Sequence, residues 1–253
     1  VILASIALVI ILGFAVYANS LNGKFVYDDE FLIKNNTLIK EWPVSPKIFT
    51  ADFLASAHIK SSFYRPLQII TYAIDYHIWK LNVVGYHLTN IFLHILVALC
   101  LYWLISILFK DKILSALTAV FFTVHPIHTG VVNYVSSRAD SLYLLFMLVS
   151  FIFYIKSLKA KGVIFCIIMV SSYSLALISK ENSLILPALI LLYHYTFKEK
   201  IRFREFISIS GVAFIYVLLR MTVLKYLITG AVSGTTLIQR IPGFFTAVAT
   251  YVR

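Results

Sequence analysis

Residues 1–18 have the sequence "VILASIALVIILGFAVYA", which is apolar and carries no charge. An apolar run of roughly 17–25 residues is long enough to cross a bilayer as a helix. Shortly after it comes "FVYDDEFLIKNN" (25–36), which contains three consecutive acids. The chain therefore places its densest negative charge a few residues beyond a membrane-length helix, and any account of its function has to explain that placement.

The composition of the whole chain is that of an integral membrane protein. Of its 253 residues, 60% are hydrophobic and only 13% are charged, whereas an ordinary soluble domain is about 25% charged. The net charge of +11 comes from basic residues that do not cluster on one soluble face, so no nucleic-acid partner is predicted. Both cysteines, Cys100 and Cys166, lie inside apolar runs and are expected to be free thiols.

Seven apolar runs predict an all-α polytopic membrane protein with a seven-helix transmembrane module. They lie at about 1–18, 86–109, 113–129, 139–157, 162–178, 183–197 and 206–224. The first run has a second interpretation as a signal peptide, because "VYA" precedes Asn19, but it lacks a basic leader and is long for one. The chain begins without Met and stops at "ATYVR", so we expect residues 1–253 to be one transmembrane domain of a longer protein.

Charge at the connections predicts the orientation of these helices. Three alternate connections, "KDK" (110–112), "KSLKAK" (156–161) and "KEKIRFRE" (198–205), hold nine Lys/Arg and three acids. The positive-inside rule makes them cytoplasmic. The 19–85 segment, the "HPIHTG" and "SKEN" turns and the segment after 224 are then on the outer side, together with eight of the eleven acids.

The 19–85 segment is predicted to be a large first outer loop with an amphipathic helix inside it. "YRPLQIITYAIDYHIWKL" (64–81) mixes aromatic and polar residues, as in a helix that lies at the membrane interface. Pro66 is acceptable in its first turn. We expect Tyr72, Tyr76 and Trp79 at the level of the lipid headgroups, since aromatic side chains gather there.

Asp28, Asp29 and Glu30 have two interpretations. A carboxylate just above the bilayer can act as general base on an acceptor hydroxyl, or contribute to a divalent-cation site, because carboxylates are hard ligands. Alternatively, the three acids form a solvated turn without chemistry.

Three further motifs each have a functional and a structural interpretation. His125 and His128 of "HPIHTG" can bind a sugar or a metal, or cap helix ends at the interface. Asp140 of "SSRAD" can contribute to a site, or only complement the dipole of the helix that it begins. Lys180 and Glu181 of "SKEN" can act in a site, or form a local ion pair.

Taken together, the motifs favour the functional interpretation, in which they form one binding or catalytic site. Ionisable residues at membrane depth are costly and usually functional. Six of them are predicted near one face: Arg65, Arg138, Asp140, Lys180, Glu181 and Arg220. Cations beside carboxylates suit a lipid-linked sugar phosphate, whose phosphate needs Arg or Lys and whose attacking hydroxyl needs a base.

In these residues the chain resembles the GT-C superfamily of integral-membrane glycosyltransferases, and within it the TMTC-like (transmembrane and TPR) O-mannosyltransferase group and its prokaryotic relatives. Five motifs in the family's order carry the resemblance: "FVYDDEFLIKNN", "YRPL" (64–67), "GYHLTNIFLH" (85–94), "HPIHTGVVNYVSSRAD" (125–140) and "SKENSLILP" (179–187). They cover about residues 22–187. No TPR signature is present in the chain, and Gly130 stands where many relatives have Glu.

The resemblance implies a GT-C-type module that transfers a sugar from a polyprenyl-phosphate carrier to an acceptor hydroxyl, here Ser or Thr of a protein, on the outer or lumenal side. Asp28 or Asp29 would be the catalytic aspartate. We expect the donor phosphate to be bound by some of the cations Arg65, Arg138, Lys180 and Arg220, and the sugar or acceptor to be contacted by Glu30, His125, His128, Asp140 and Glu181. No metal is transferred from the family, and a divalent cation stays an open alternative. The expected location is the prokaryotic inner membrane or the endoplasmic reticulum.

Two other classes compete with this hypothesis. A transporter or lipid flippase also uses intramembrane charges, but such sites tend to lie at the midplane of broken helices and in repeats, and no repeat is visible here. A non-catalytic assembly protein would display its outer loop to a partner, and its acids could be neutralised without loss of a reaction.

Overall fold

A computed structural model describes residues 2–41, 43–50, 53, 63–159, 162–222 and the single positions 242, 243, 246 and 250. Within these ranges every regular element is a helix. The α-helices are α1 (Ile2–Tyr17), α2 (Pro66–Trp79), α3 (Val83–Phe109), α4 (Lys112–Val124), α5 (Thr129–Asn133), α6 (Arg138–Lys159), α7 (Val163–Leu177), α8 (Leu186–Phe197) and α9 (Phe203–Thr222). The predicted outer segment after 224, and parts of the 19–85 loop, lie outside the described residues.

The all-α polytopic membrane fold is confirmed. Four described helical stretches are long and apolar enough to cross a membrane: Ile2–Asn22, Val83–Phe109, Val135–Lys159 and Phe203–Thr222. A fifth crossing is formed if Lys112–Val124 and Pro126–Asn133, which are bent by 48° at His125, count as one. All seven predicted runs coincide with helices, but α7 and α8 have only 15 and 12 residues, so the count of seven spans stays a prediction.

Polar residues at the connections determine where several helices begin and end. Asn82 caps α3 by accepting a hydrogen bond from the Val84 amide at 3.2 Å. Asp111 caps α4 by accepting from the amides of Ile113 and Leu114, which satisfies donors that have no partner inside the helix. Lys110 ends α3 in the left-handed conformation, so a single short turn reverses the chain between two apolar helices.

The helices bury three clusters of apolar side chains, which pack the helices against one another and against the outer loop. The largest joins α3, α6, α7, α8 and α9, and the second joins α1, α3 and α4. The third lies between the outer loop and α2 and includes Leu32, Ile33, Ile39 and Ile69. The outer loop therefore has its own core, which holds the acidic stretch against the bundle.

The three basic connections lie at one end of the bundle. The ring of Phe109 packs against that of Phe197 with centroids 5.9 Å apart, and the Arg202 guanidinium donates to the Ser157 carbonyl at 2.7 Å. The start of α6 and the "SKEN" turn are at the opposite ends of the same helices. The basic connections and the remaining connections thus lie at opposite ends of the bundle, as their alternation along the sequence predicts.

One expectation for α2 was wrong. The helix is present where it was predicted, but the Tyr72 side chain does not face lipid headgroups, because it is completely buried in the protein. Its hydroxyl donates to the Val135 carbonyl at 2.9 Å and accepts from the Gln68 amide at 2.7 Å. Trp79 is 40% exposed, as an interfacial aromatic residue would be. The face of α2 that carries Tyr72 thus packs on the protein rather than on lipid.

Candidate active site

The acidic stretch is fastened to the start of α6 through Asp29. Its carboxylate is fully buried and accepts hydrogen bonds from the backbone amide of Val26 at 3.0 Å and of Ser136 at 2.9 Å. The Ser136 hydroxyl also donates to it at close range. A residue of the first outer loop and a residue 107 positions later are thereby joined, and the position of the loop is set by α6.

Asp28 differs from its neighbour because it is exposed. Its backbone amide donates to the Tyr134 hydroxyl at 3.2 Å, so the main chain is held while the carboxylate faces outward. Tyr27, immediately before it, has a φ of +48°, which is uncommon for a non-glycine residue and is found often at functional sites. The turn therefore presents the Asp28 side chain on a constrained backbone.

Glu30 is the third acid and is engaged locally. Its carboxylate pairs with Lys34 at 2.9 Å, one helical turn later, and both side chains are well exposed. An exposed pair of this kind contributes little to stability. The three consecutive acids thus lie in three different environments: one exposed, one buried, and one paired at the surface.

Burial is the main influence on the ionisation of Asp29. It raises the pKa of the Asp29 carboxyl, although hydrogen bonds from Ser136 and Val26 oppose that increase. The carboxylate is surrounded by neutral donors, so desolvation of its charge has the larger effect.

Arg138 is completely buried at the start of α6 and is paired with Asp75 of α2. The distance from its Nη2 to the Asp75 carboxylate is 2.6 Å. It also donates to the Asn90 side chain at 2.8 Å and to the Tyr86 carbonyl at 3.1 Å. A guanidinium with this many internal acceptors is a structural connector between α2, α3 and α6.

Sequence reasoning did not single out Asp75, although α2 carried a signal for it. Gln68, Tyr72 and Asp75 are spaced i, i+4, i+7 and share one helix face, and all three are buried. Gln68 and Asp75 are polar, and polar side chains on the buried face of a helix predict polar partners on the segment that packs against it. For Asp75 that partner is Arg138, 63 positions later in the chain.

A second group of charges connects the "SKEN" turn to three other segments. The ammonium of Lys180 lies 2.5 Å from the Asp140 carboxylate. Glu181 lies between two arginines, 3.5 Å from Arg65 and 3.6 Å from Arg220. The local Lys180–Glu181 pair that we considered as a structural interpretation is therefore replaced by pairs between distant segments. These five residues form what we call the charged cluster.

The two histidines of "HPIHTG" are close to each other and to an apolar cavity. Their ring centroids are 6.2 Å apart, and the His128 ring packs against that of Phe122 with centroids 4.2 Å apart. A cavity of about 270 Å³ is lined by His128, His94 and Asp140 together with apolar side chains. Asp140 therefore belongs to the charged cluster and also lines the cavity beside His128.

In the part of the chain that the structure describes, no three His, Cys, Asp or Glu side chains are grouped so that they could hold a metal ion. His125 and His128 have mainly aromatic neighbours, Phe121 and Phe122. A divalent cation therefore has no preformed protein site among these residues.

The described region contains an exposed carboxylate and a group of cationic side chains. An exposed carboxylate on a fixed backbone can accept a proton, and arginine and lysine side chains can bind a phosphate. Both are tied to the beginning of α6, through Tyr134 on one side and Asp140 on the other.

Comparison with known proteins connects this geometry with one group. Human protein O-mannosyl-transferase TMTC1 is 38% identical over 147 residues, which are 56% of this chain and 17% of that protein. Human protein O-mannosyl-transferase TMTC2 is 36% identical over 155 residues, or 60% of this chain and 18% of the relative. The Caenorhabditis elegans protein O-mannosyl-transferase F38B6.6 is 28% identical over 187 residues, or 71% and 26%.

The chain thus spans about a quarter or less of the length of these relatives. No family model and no solved structure matches it. The five ordered motifs predicted a resemblance to the TMTC-like group, and the curated relatives confirm it: the chain is similar to the protein O-mannosyl-transferases of that group.

Proposed function

We propose that this protein transfers a sugar from a polyprenyl-phosphate carrier to a Ser or Thr hydroxyl of a protein on the outer or lumenal side of the membrane. The observation that carries the proposal is the exposed Asp28, whose backbone is held by Tyr134 just before the beginning of α6, where the charged cluster is also attached through Asp140. The names of the relatives support mannose as the sugar and a protein as the acceptor.

Asp28 is the proposed base. Its carboxylate takes the proton of the acceptor hydroxyl, the hydroxyl oxygen forms a bond to the anomeric carbon, and the bond from that carbon to the phosphate oxygen breaks. The polyprenyl phosphate leaves with the electron pair, and the configuration at the anomeric carbon is inverted. Asp29 positions the base, because both of its carboxylate oxygens accept hydrogen bonds from the protein.

The charged cluster is the proposed phosphate site. Arg65 and Arg220 lie 3.5 and 3.6 Å from Glu181, longer than the roughly 2.7–2.9 Å of a charge-assisted hydrogen bond. The Nε of Arg65 is buried and has no hydrogen-bond partner among the described residues. A phosphate can therefore take donors from this arginine, and Lys180 adds a third positive charge, while Glu181 and Asp140 hold the cations in place.

Arg138 enters the proposal as a positioning residue. We expected it on the donor phosphate, but its side chain is 0% exposed and paired with Asp75. Its role is to hold α2 and α3 against the start of α6, from which Ser136 and Asp140 project toward the two halves of the site.

The sugar and the acceptor are proposed to lie between Asp28 and the cavity that His128 and Asp140 line. His125 is partly buried and is the candidate for a contact with the acceptor, whereas Glu30 is paired with Lys34 at the surface. The donor's tail would remain in hydrocarbon, which explains why the phosphate site is at the end of membrane-length helices. The opposite, basic end would face the cytoplasm.

The proposal is tested by incubating the purified protein with a serine- and threonine-containing acceptor peptide and a panel of polyprenyl-phosphate sugars. Mass spectrometry then detects the added sugar. We expect transfer from polyprenyl-phosphate mannose and none from nucleotide-linked mannose. Transfer from the nucleotide sugar alone, or from no donor in the presence of correctly folded protein, would contradict the proposal.

A further inference from the structure

A cavity lies at the basic end of the bundle, away from the candidate active site. Its volume is about 640 Å³, and it lies between the end of α6 and the beginnings of α7 and α9. The polar groups that line it include the guanidinium groups of Arg202 and Arg204 and the carboxylate of Glu205. The mechanism proposed above uses none of these residues.

The two arginines of this cavity are engaged differently. Arg202 donates to the Ser157 carbonyl at 2.7 Å and lies 3.7 Å from Glu205, so its charge is largely balanced within the protein. Arg204 is exposed, and its described side-chain contact is a 3.6 Å approach of Nη2 to the Cys166 sulfur. A thiol is a weak acceptor, so the positive charge of Arg204 remains available to an anion that enters the cavity.

The beginning of α7 adds to this positive potential. Gly162 precedes the helix and has no side chain that could accept from the first-turn amides, and Val163 follows it at the cavity wall. The amides of a first helical turn carry partial positive charge and favour negative groups. The cavity is thus lined by the Arg204 side chain and by the residues at the beginning of α7.

Exposed apolar side chains continue from the cavity along both helices. Val163 and Ile167 of α7 are 67% and 54% exposed, and Phe203 and Ile207 of α9 are 72% and 63% exposed. Since α7 and α9 pack against each other, these side chains form an apolar surface that begins at the level of Arg204. A ligand that fits both parts has a negatively charged head and an apolar tail.

We propose that this cavity binds the phosphate of an anionic membrane phospholipid, with the phosphate at Arg204 and the acyl chains against α7 and α9. Basic cavities between membrane helices at the cytoplasmic side have the chemistry for such head groups. The lipid is a bound structural ligand here, not a substrate, because the cavity is at the end of the helices opposite to Asp28.

The test compares lipid binding to purified wild-type protein, Arg204→Gln and Lys200→Gln. Lys200 is exposed at the same end but does not line the cavity, so its variant controls for the loss of one positive charge. Native mass spectrometry would measure binding of phosphatidylglycerol, with phosphatidylcholine as the neutral lipid and glycerol phosphate as the tail-free anion. We expect Arg204→Gln to weaken phosphatidylglycerol binding about fivefold, the scale of one basic residue at an anionic surface.

Lys200→Gln should bind phosphatidylglycerol as the wild type does, and phosphatidylcholine should bind weakly to all three proteins. Binding of glycerol phosphate as tight as that of the lipid would retain the phosphate site but assign its ligand to a soluble phosphate ester. Equal affinities of Arg204→Gln and the wild type, or an equal loss in both variants, would overturn the proposal. Thermal unfolding of the lipid-free proteins verifies that both variants are folded.

Discussion

At the scale of single residues, Arg138 and Asp75 show how one buried charge organises the site. The pair is 2.6 Å apart and both side chains are almost completely buried. Removing one partner of such a pair leaves an uncompensated charge at low dielectric, which costs about 3–5 kcal/mol. The intact pair contributes little net stability, and its main effect is to specify one arrangement of α2, α3 and α6.

Neutralising Asp75 alone is accordingly predicted to be severe. Asp75→Asn should lower the free energy of unfolding by about 3–5 kcal/mol, measured as a large decrease in melting temperature in detergent. Glu30→Gln, which breaks the exposed pair with Lys34, should cost no more than about 1 kcal/mol. Equal melting temperatures for the two variants would show that the buried pair does not constrain the fold.

Asp29 makes a prediction about pH. Its unfolded-state pKa is near the ordinary 3.8, and burial raises the pKa of the folded state above that value. The folded protein therefore binds more protons in the interval between the two values, and its stability falls as pH rises through that interval.

The measurement for Asp29 is the melting temperature of the wild type and of Asp29→Asn from about pH 4 to about pH 7. The wild type should lose stability relative to the variant as pH rises above 3.8. A wild-type profile parallel to that of Asp29→Asn would contradict the assigned effect of burial.

At the scale of elements, the corner between α2 and α3 holds the buried pair in position. Gly85 lies in the first turn of α3, directly against the indole of Trp79, the last residue of α2. A Cβ added to Gly85 would overlap that ring. The missing side chain thus allows α2 to fold back closely onto α3.

Gly85→Ala is therefore predicted to destabilise the protein by roughly 1–3 kcal/mol, the cost of overpacking a tight contact. Gly211→Ala is the matched control, because its Cβ would meet nothing within 4 Å and the change favours the helix by about 1 kcal/mol. Chemical or thermal unfolding compares the two. A neutral Gly85→Ala would mean that Trp79 moves aside without cost.

Hydrophobic patterns were sufficient to locate the elements. Each predicted apolar run coincides with helix over its described residues, although the run 113–129 is bent at His125. The helix expected at 64–81 is α2, because the length and composition of a segment largely determine whether it is helical in lipid. The patterns could not locate the partners of the charges. Lys180 pairs with Asp140 rather than with adjacent Glu181, since that choice depends on how α6 and α7 pack.

The same limit explains the error at Tyr72. An aromatic residue in an amphipathic helix suits the headgroup level and the protein interior equally well by composition. The two environments are distinguished by the carbonyl of Val135, 63 positions later in the chain, which accepts a hydrogen bond from the Tyr72 hydroxyl. Long-range hydrogen bonds of this kind are absent from any local pattern.

At the scale of the whole molecule, the bundle has chemically different ends. Its basic end carries eight described Lys/Arg in three connections, and the other end carries the acidic stretch and the charged cluster. Lys24 follows the C-terminal end of α1, and Lys159 is the last residue of α6. Both are exposed, and the predicted orientation places them on opposite sides of the membrane, so they can report it.

In a Cys100→Ala, Cys166→Ala background, we predict that Lys24→Cys reacts with a membrane-impermeant maleimide in intact cells or sealed vesicles of outward orientation. Lys159→Cys should react only after the membrane is permeabilised, because the basic connections remain on the cytoplasmic side. The reverse pattern would place Asp28 in the cytoplasm and would be incompatible with the proposed sidedness of the site.

The central claim is that Asp28 is the base of a sugar transfer, and the most direct test is the transfer rate of Asp28→Asn beside that of Glu30→Gln. The donor is polyprenyl-phosphate mannose, the acceptor is a serine- and threonine-containing peptide, and product is quantified by mass spectrometry. Loss of a general base should reduce the rate by roughly 100-fold or more, whereas Glu30→Gln should stay near wild type because its carboxylate is paired at the surface. Near wild-type transfer by folded Asp28→Asn would show that the acidic stretch is a solvated turn without a role in the reaction.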